Sequence, residues 1–242
     1  MKLLSKKLSG RDLGTMLYAS LQSRSEEALR LRQQRCDELK TPGQIRAYQR
    51  QVRKKFRACL GATPGRSPLN ARIVGRIKCR RYRVEKIIYE SQPRHYVTAL
   101  LYLPEQPGPH GAVLVAPGHT DNGKIGYKRQ CALLATNGLA AFSIDPIGQG
   151  ERHQLVSPDG SVLSPPTLEH TIVSPGSLLV GRNVATYMIW DTVRGLDYLC
   201  RRPDIDARRI GCTGNSGGGM MTAYMMALDD RIACAAPSCY IT

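Results

Sequence analysis

Hydrophobic and polar positions alternate with two different periods along this chain, and the change between them falls near residue 80. Upstream the period is helical. Ser23-x-x-Glu26 and Thr41-Pro42-x-Gln44 have the form of capping boxes, so helices are predicted over roughly 24–39 and 42–60. In the second, Ile45, Tyr48, Val52, Phe56 and Cys59 recur at steps of three and four, while Arg46, Arg50, Arg53, Lys54 and Arg57 point elsewhere. That pattern predicts one packed and one wet face. Gly61 stops the helix, and Pro64-Gly65-Arg66-Ser67-Pro68 reads as a connector.

From about residue 80 short apolar runs alternate with turn residues. Arg83 to Tyr89 and Tyr96 to Leu103 read as paired strands around Ser91-Gln92-Pro93-Arg94. Ala112 to Ala116 is a near-continuous apolar run, as expected of a strand covered on both faces. A helix over 126–137, a strand from Ala140 to Ile144 and a long irregular stretch from Asp145 to Gly181 follow. Asn183 to Cys200 reads as a helix packed through Val184, Met188, Ile189, Val193, Leu196 and Leu199, and Ile232 to Ala236 as the last strand. Alternating strands and helices predict an α/β fold with a mostly parallel sheet. The division expected is a basic helical segment over 1–80 and an α/β domain over 81–242.

Charge is divided the same way. The net charge is +16, but residues 1–95 hold 24 Lys and Arg against 7 Asp and Glu, and the remainder 11 against 12. A basic run is most often a solvated helix face; the competing reading is an anionic partner such as RNA, a membrane or an acidic polysaccharide. Nucleic acid is disfavoured because Tyr18, Tyr48, Phe56, Tyr82 and Tyr89 are scattered rather than stacked into a platform. Lys6, Lys7, Arg11 and Asp12 interrupt any apolar stretch at the N-terminus, so a secretory leader is not read there. No segment reads as membrane-spanning, and a cytoplasmic location is the default expectation. Eight cysteines without a C-x-x-C pair are expected to be mostly reduced core residues, and neither a zinc ribbon nor a thioredoxin-like motif is indicated.

Chemistry concentrates in Gly214-Asn215-Ser216-Gly217-Gly218, a G-x-S-x-G sequence between the apolar run Ile210 to Thr213 and the helix-forming stretch from Met220 to Leu228. Strand, turn and helix in that order expose a serine on a strained elbow, which makes Ser216 the candidate nucleophile. A hydroxyl attacks an acyl group only if a base takes its proton and donors face the oxyanion. In enzymes with such an elbow the donors are the main-chain N–H of the residue after the nucleophile and one from the loop after an earlier strand, positions that Gly217 and His119, in the loop Pro117 to Gly123, would match. Asp145, Gly148, Gln149 and Gly150 start at the C-terminal end of another strand and are expected to wall the pocket.

Ala116-Pro117-Gly118-His119, Asp145 to Gly150, Trp190-Asp191-x-x-Arg194-Gly195-x-Asp197-Tyr198-Leu199 and Gly214 to Gly219 together resemble the acetyl xylan esterase and dienelactone-hydrolase-like branch of the α/β-hydrolase superfamily, over roughly residues 80–242. The resemblance implies a serine esterase acting on small-molecule or carbohydrate esters, acetyl esters of plant polysaccharides among them, without metal or organic cofactor. It also implies an acid and then a histidine after the nucleophile. His95, His110, His119, His153 and His170 all precede Ser216, and Asp229 and Asp230 follow it too early to be the triad acid. The expectation is a sheet truncated before its last strands, with an unpaired edge after Ile232 to Ala236 and poor folding. The alternatives are a differently wired hydrolase that recruits His153 or His170, and a non-catalytic scaffold whose basic N-terminus binds an anionic surface.

Overall fold

The computed structural model of the protein describes residues 13–241. The residues read above for a leader lie outside the described residues. The chain divides into two compact units, residues 1–54 and 55–242.

The first unit holds helix α1, Met16–Asp37, and most of helix α2, Pro42–Leu60. The helix α1 starts eight residues before the position predicted from Ser23. That serine lies inside it, and Glu26 accepts from Gln22 Nε2 (2.9 Å) rather than closing a capping box. The second box forms as predicted: Gln44 Oε1 accepts from Thr41 N at 2.9 Å, and Gln44 N donates to Thr41 Oγ1 at 3.3 Å. Neither helix buries a side chain. The expected packed face of α2 is only half-covered, with Tyr48 taking the Arg35 guanidinium over its ring and Ile45 and Val52 exposed. No helix among the described residues is long and apolar enough to cross a membrane.

The second unit is built on a seven-stranded sheet in the order β1-β2-β3-β5-β4-β6-β7. Its strands are β1 Arg72–Lys78, β2 Tyr82–Gln92, β3 His95–Pro104, β4 His110–Ala116, β5 Ala140–Ile144, β6 Ile205–Asn215 and β7 Ile232–Ser238. The strands β5, β4, β6 and β7 run parallel, and β3, β2 and β1 extend the sheet antiparallel beyond β5. The helix α3, Lys128–Thr136, packs on one face; α5, Val184–Cys200, and α6, Gly217–Leu228, pack on the other.

Period-two alternation feeds both faces. In β3, Val97, Ala99, Leu101 and Leu103 join the larger core with Leu196, Leu199, Met221 and Met225, whereas Leu100 and Tyr102 turn to Cys131 and Ala135 of α3. The capping box of Asn183 and Thr186 starts α5. Within that helix Arg194 is nearly fully buried, with Nη1 2.5 Å from Asp197 Oδ2 and Nη2 donating to the Ser67 carbonyl.

Three sequence expectations are corrected here. The strand β1 lies in the stretch read as helical and connector, because an edge strand with mostly exposed residues carries no apolar run. The irregular stretch after Asp145 contains helix α4, Pro166–Leu179, whose period is masked by Pro175 and Gly176. Finally, the cysteines are not mostly core residues: Cys131 and Cys212 are buried, whereas Cys59, Cys234 and Cys239 are exposed, and all eight are free thiols. Burial pushes the Cys131 thiol up to about 12 and the Cys212 thiol up to about 11. At pH 8 iodoacetamide should therefore modify Cys59, Cys234 and Cys239 in the folded protein and leave Cys131 and Cys212 intact until denaturant is added. Early modification of Cys131 in a peptide map would contradict this packing.

Candidate active site

The parallel register places the C-terminal ends of β4 and β6 side by side, with Ala116 opposite Gly214, so the turns that follow them share one edge of the sheet. Ser216 sits at the tip of the second turn, exposed, with φ 55° and ψ −117°. A non-glycine residue held there costs on the order of 1–3 kcal/mol, and such strain persists only where the surroundings fix it. They do: Ser216 N donates to the Ser238 carbonyl (2.9 Å), and Met220 N to the Ser216 carbonyl (2.9 Å). The turn also needs a close backbone approach. A Cβ on Gly218 would lie 2.0 Å from the Ala116 carbonyl oxygen.

The helix α6 begins directly after Ser216, and its first-turn N–H groups, Gly217's included, have no partner within the helix and carry the positive end of its dipole. The loop after β4 lies opposite. Gly118 N donates to the Tyr127 hydroxyl (2.9 Å) and Thr120 N to Gln149 Oε1 (2.9 Å), so the N–H groups flanking that of His119 are committed to holding the loop. The His119 ring stands over Gly217, where an added Cβ would lie 2.7 Å from Nδ1 and Cε1.

Beneath the elbow is a cavity of about 30 Å³ lined mainly by Leu114, Ala116, Phe142, Ile144, Met188 and Met221, with His119, Gln149, Asp191 and Gly217 also on its walls. Of the residues expected to wall the pocket, the structure brings Gln149 there and keeps the others behind it. Asp145 is fully buried. Its Oδ1 accepts from Lys124 N (2.8 Å), its Oδ2 from Thr98 Oγ1 (2.8 Å) and Glu151 N (3.0 Å), and Lys124 Nζ pairs with it. Gly150 N donates to the Asp121 carbonyl (3.0 Å), and Gly148 N to the Arg152 carbonyl (2.9 Å). These three residues therefore shape the loop that carries Gln149.

Sequence reasoning missed the supports of this loop. Arg152 Nη1 donates to the Asp145 carbonyl (2.9 Å) and lies 2.8 Å from Asp191 Oδ2, while its Nη2 donates to His95 Nε2. Asp191 is fully buried; burial alone would raise its carboxyl, but the charge of Arg152, the adjoining His95 ring and the Ser91 hydroxyl hold it below the usual carboxylate range. Lys124, Arg152 and Asp191 converge from positions far apart in sequence, and only the fold brings them together.

The five histidines are all accounted for. His95 faces Arg152 and Asp191, His110 contacts the Gln106 carbonyl, and His153 lies 3.5 Å from the buried Glu169. His119 and His170 pair with each other. Asp229 is held by Arg231 at the end of α6. Among the described residues no group of three or more His, Cys, Asp or Glu side chains is placed to hold a metal ion.

A parallel sheet with helices on both faces, an antiparallel extension at one edge and a strained serine between a strand and a helix define the α/β-hydrolase class. Within it, the chain belongs to the acetyl xylan esterase (AXE1) family, whose pattern matches residues 75–240. It is similar to YtaP of Bacillus subtilis (strain 168), a candidate hydrolase, with 28% identity over 201 residues that cover 77% of this chain and 62% of YtaP. Similar solved structures include a candidate acetyl xylan esterase from Bacteroides fragilis NCTC 9343, with TM-score 0.66, 21% identity, and coverage of 80% of this chain and 53% of that one. An acetyl xylan esterase from Paenibacillus sp. R4 aligns with TM-score 0.54 and 21% identity over 79% of this chain and 56% of its own. The chain thus spans about three fifths of the length of YtaP and about half that of these two esterases.

Proposed function

We propose that Ser216 is the nucleophile of a carboxylic ester hydrolase, with the N–H groups of Gly217 and His119 as its oxyanion donors. The observation that carries this reading is the conformation of Ser216, a non-glycine residue held at φ 55° in the first turn before α6 and beside the loop that carries His119. Ser216 Oγ bonds the acyl carbon, negative charge develops on the former carbonyl oxygen, and donors fixed by the backbone stabilise it without reorganising. The alcohol leaves with the proton removed from Oγ, and water then releases the acid from the acyl-enzyme.

The cavity below the elbow sets the acyl portion in this reading. About 30 Å³ of apolar-walled space is room for one or two waters or a methyl group. Acetyl esters fit it, in keeping with the acetyl xylan esterase family to which the chain belongs. The alcohol portion, a sugar in the favoured reading, stays outside on the Ser216 side.

In this reading no histidine of these 242 residues serves as the base. The support is the accounting of histidines, all five of which face carboxylates, carbonyls or another ring, with none bonded to the Ser216 hydroxyl. The 242-residue chain expressed by itself should accordingly hydrolyse p-nitrophenyl acetate at the rate of a Ser216→Ala control. Robust turnover that the substitution abolishes would overturn this reading of the base while supporting the nucleophile.

A further inference from the structure

The protons of the His119 and His170 pair can be assigned from one fixed point. The Ile147 carbonyl oxygen only accepts, and it lies 2.6 Å from His170 Nε2, so that nitrogen carries a hydrogen and donates. An imidazole with its one hydrogen on Nε2 has its lone pair at Nδ1, and His170 Nδ1 lies 3.1 Å from His119 Nε2. His119 Nε2 therefore donates, and the lone pair of His119 is at Nδ1. This is the nitrogen on the Gly217 side of the ring, next to the nucleophile. Burial, and then the neighbouring His170, hold His119 below the ordinary histidine range, so the ring stays neutral at neutral pH.

The site thus presents a fixed acceptor beside the ester it would cleave. A plain alkyl ester has nothing to donate to it. The acyl cavity is small and mostly apolar, whereas His119 is exposed at its mouth, so the donor has to come from the alcohol side. We propose that His119 Nδ1 accepts a hydrogen bond from a hydroxyl group neighbouring the scissile ester in the alcohol portion, and that His170 is the positioning residue that fixes the tautomer. The site in this way selects mono-esters of polyols over esters of simple alcohols. This selection rests on the reading of Ser216 as nucleophile, whereas the tautomer does not. Once the bound alcohol portion covers His119, an acceptor left unpaired by the wrong ligand is a strong discriminator, because its lost hydration is not replaced.

The test is long-range proton–nitrogen NMR of the imidazoles at pH 8, in the wild-type chain and in Ser216→Ala, where esters bind without turnover. The wild type should show His119 and His170 each as the single Nε2–H tautomer. Glycerol 1-monoacetate should shift the His119 Nδ1 resonance of Ser216→Ala, and propyl acetate, which lacks a hydroxyl, should leave it in place. His170→Phe keeps a planar ring but no acceptor, and should release His119 into a mixture of tautomers, an effect that loss of packing alone would not produce. A proton on His119 Nδ1 in the wild type, an equal response to both acetates, or none to either would overturn the proposal. Should His170→Phe fail to fold, the wild-type tautomers still decide the positioning role. Failure of the underlying nucleophile reading shows separately, as ester turnover by the native protein that survives Ser216→Ala.

Discussion

Ser216→Ala should lower kcat for p-nitrophenyl acetate by at least about 10⁴-fold in the native protein as its source cell makes it, a loss of roughly 5 kcal/mol of transition-state stabilisation. The proposed chemistry has no substitute for the hydroxyl, since the oxyanion donors and the cavity stabilise an adduct that can no longer form. Stability should change little. The Ser216 side chain is exposed, and the bonds that hold the elbow use its backbone N–H and carbonyl, which alanine retains. A stability change within about 1 kcal/mol, read from urea unfolding, separates lost chemistry from lost fold. Retained turnover in the variant would remove Ser216 from the mechanism.

The second large effect is on stability. Gly218→Ala puts a methyl group 2.0 Å from the Ala116 carbonyl oxygen, with the carbonyl carbons of Ala116 and Pro117 at 2.8 and 2.9 Å. All three are backbone atoms at the end of β4, which is pinned between β5 and β6, so nothing flexible can yield. The cost should be about 3 kcal/mol or more, a fall in Tm of roughly 6–12 °C for a unit of this size. Gly176→Ala is the control: its added Cβ meets nothing within 4 Å, and in the helix α4 it should be neutral or slightly stabilising. Equal melting temperatures for the two variants would show that the elbow does not pack against β4 in this way.

How much of this was legible in the sequence follows from what each element depends on. The strands β3, β4 and β5 declare themselves because burial on both faces demands a continuous apolar run. The strand β1 does not, since an edge strand as exposed as Arg72 to Lys78 is free to be basic. The helix α1 was misplaced because its true start at Met16 lacks a side-chain cap, while Ser23 and Glu26 imitate one in its interior. The helix α4 was missed because Pro175 interrupts its pattern and half-exposed residues such as Leu168 and Ile172 blur its periodicity.

The candidate site divides the same way. The elbow is local, seven or eight residues whose spacing carries the geometry, so Ser216, Gly217 and the His119 loop could be read directly. The ring of His119 could not. Its partner lies 51 residues on, in a helix the sequence concealed, and the tautomer depends on a carbonyl 23 residues before that partner. Asp145 shows the same limit in reverse. Its position after β5 marks a ligand-binding edge, yet Lys124 and Thr98 draw the carboxylate inward, and Gln149 reaches the cavity instead.

The measurement that bears most directly on the central claim is mass spectrometry of the native protein, acid-quenched during turnover of p-nitrophenyl acetate. If Ser216 attacks the acyl carbon, the peptide carrying it gains one acetyl group within the first turnover, and the same peptide of Ser216→Ala gains none. An acetyl group found on His119 or another residue, or sustained turnover with no acetylated peptide at any time, would contradict the account.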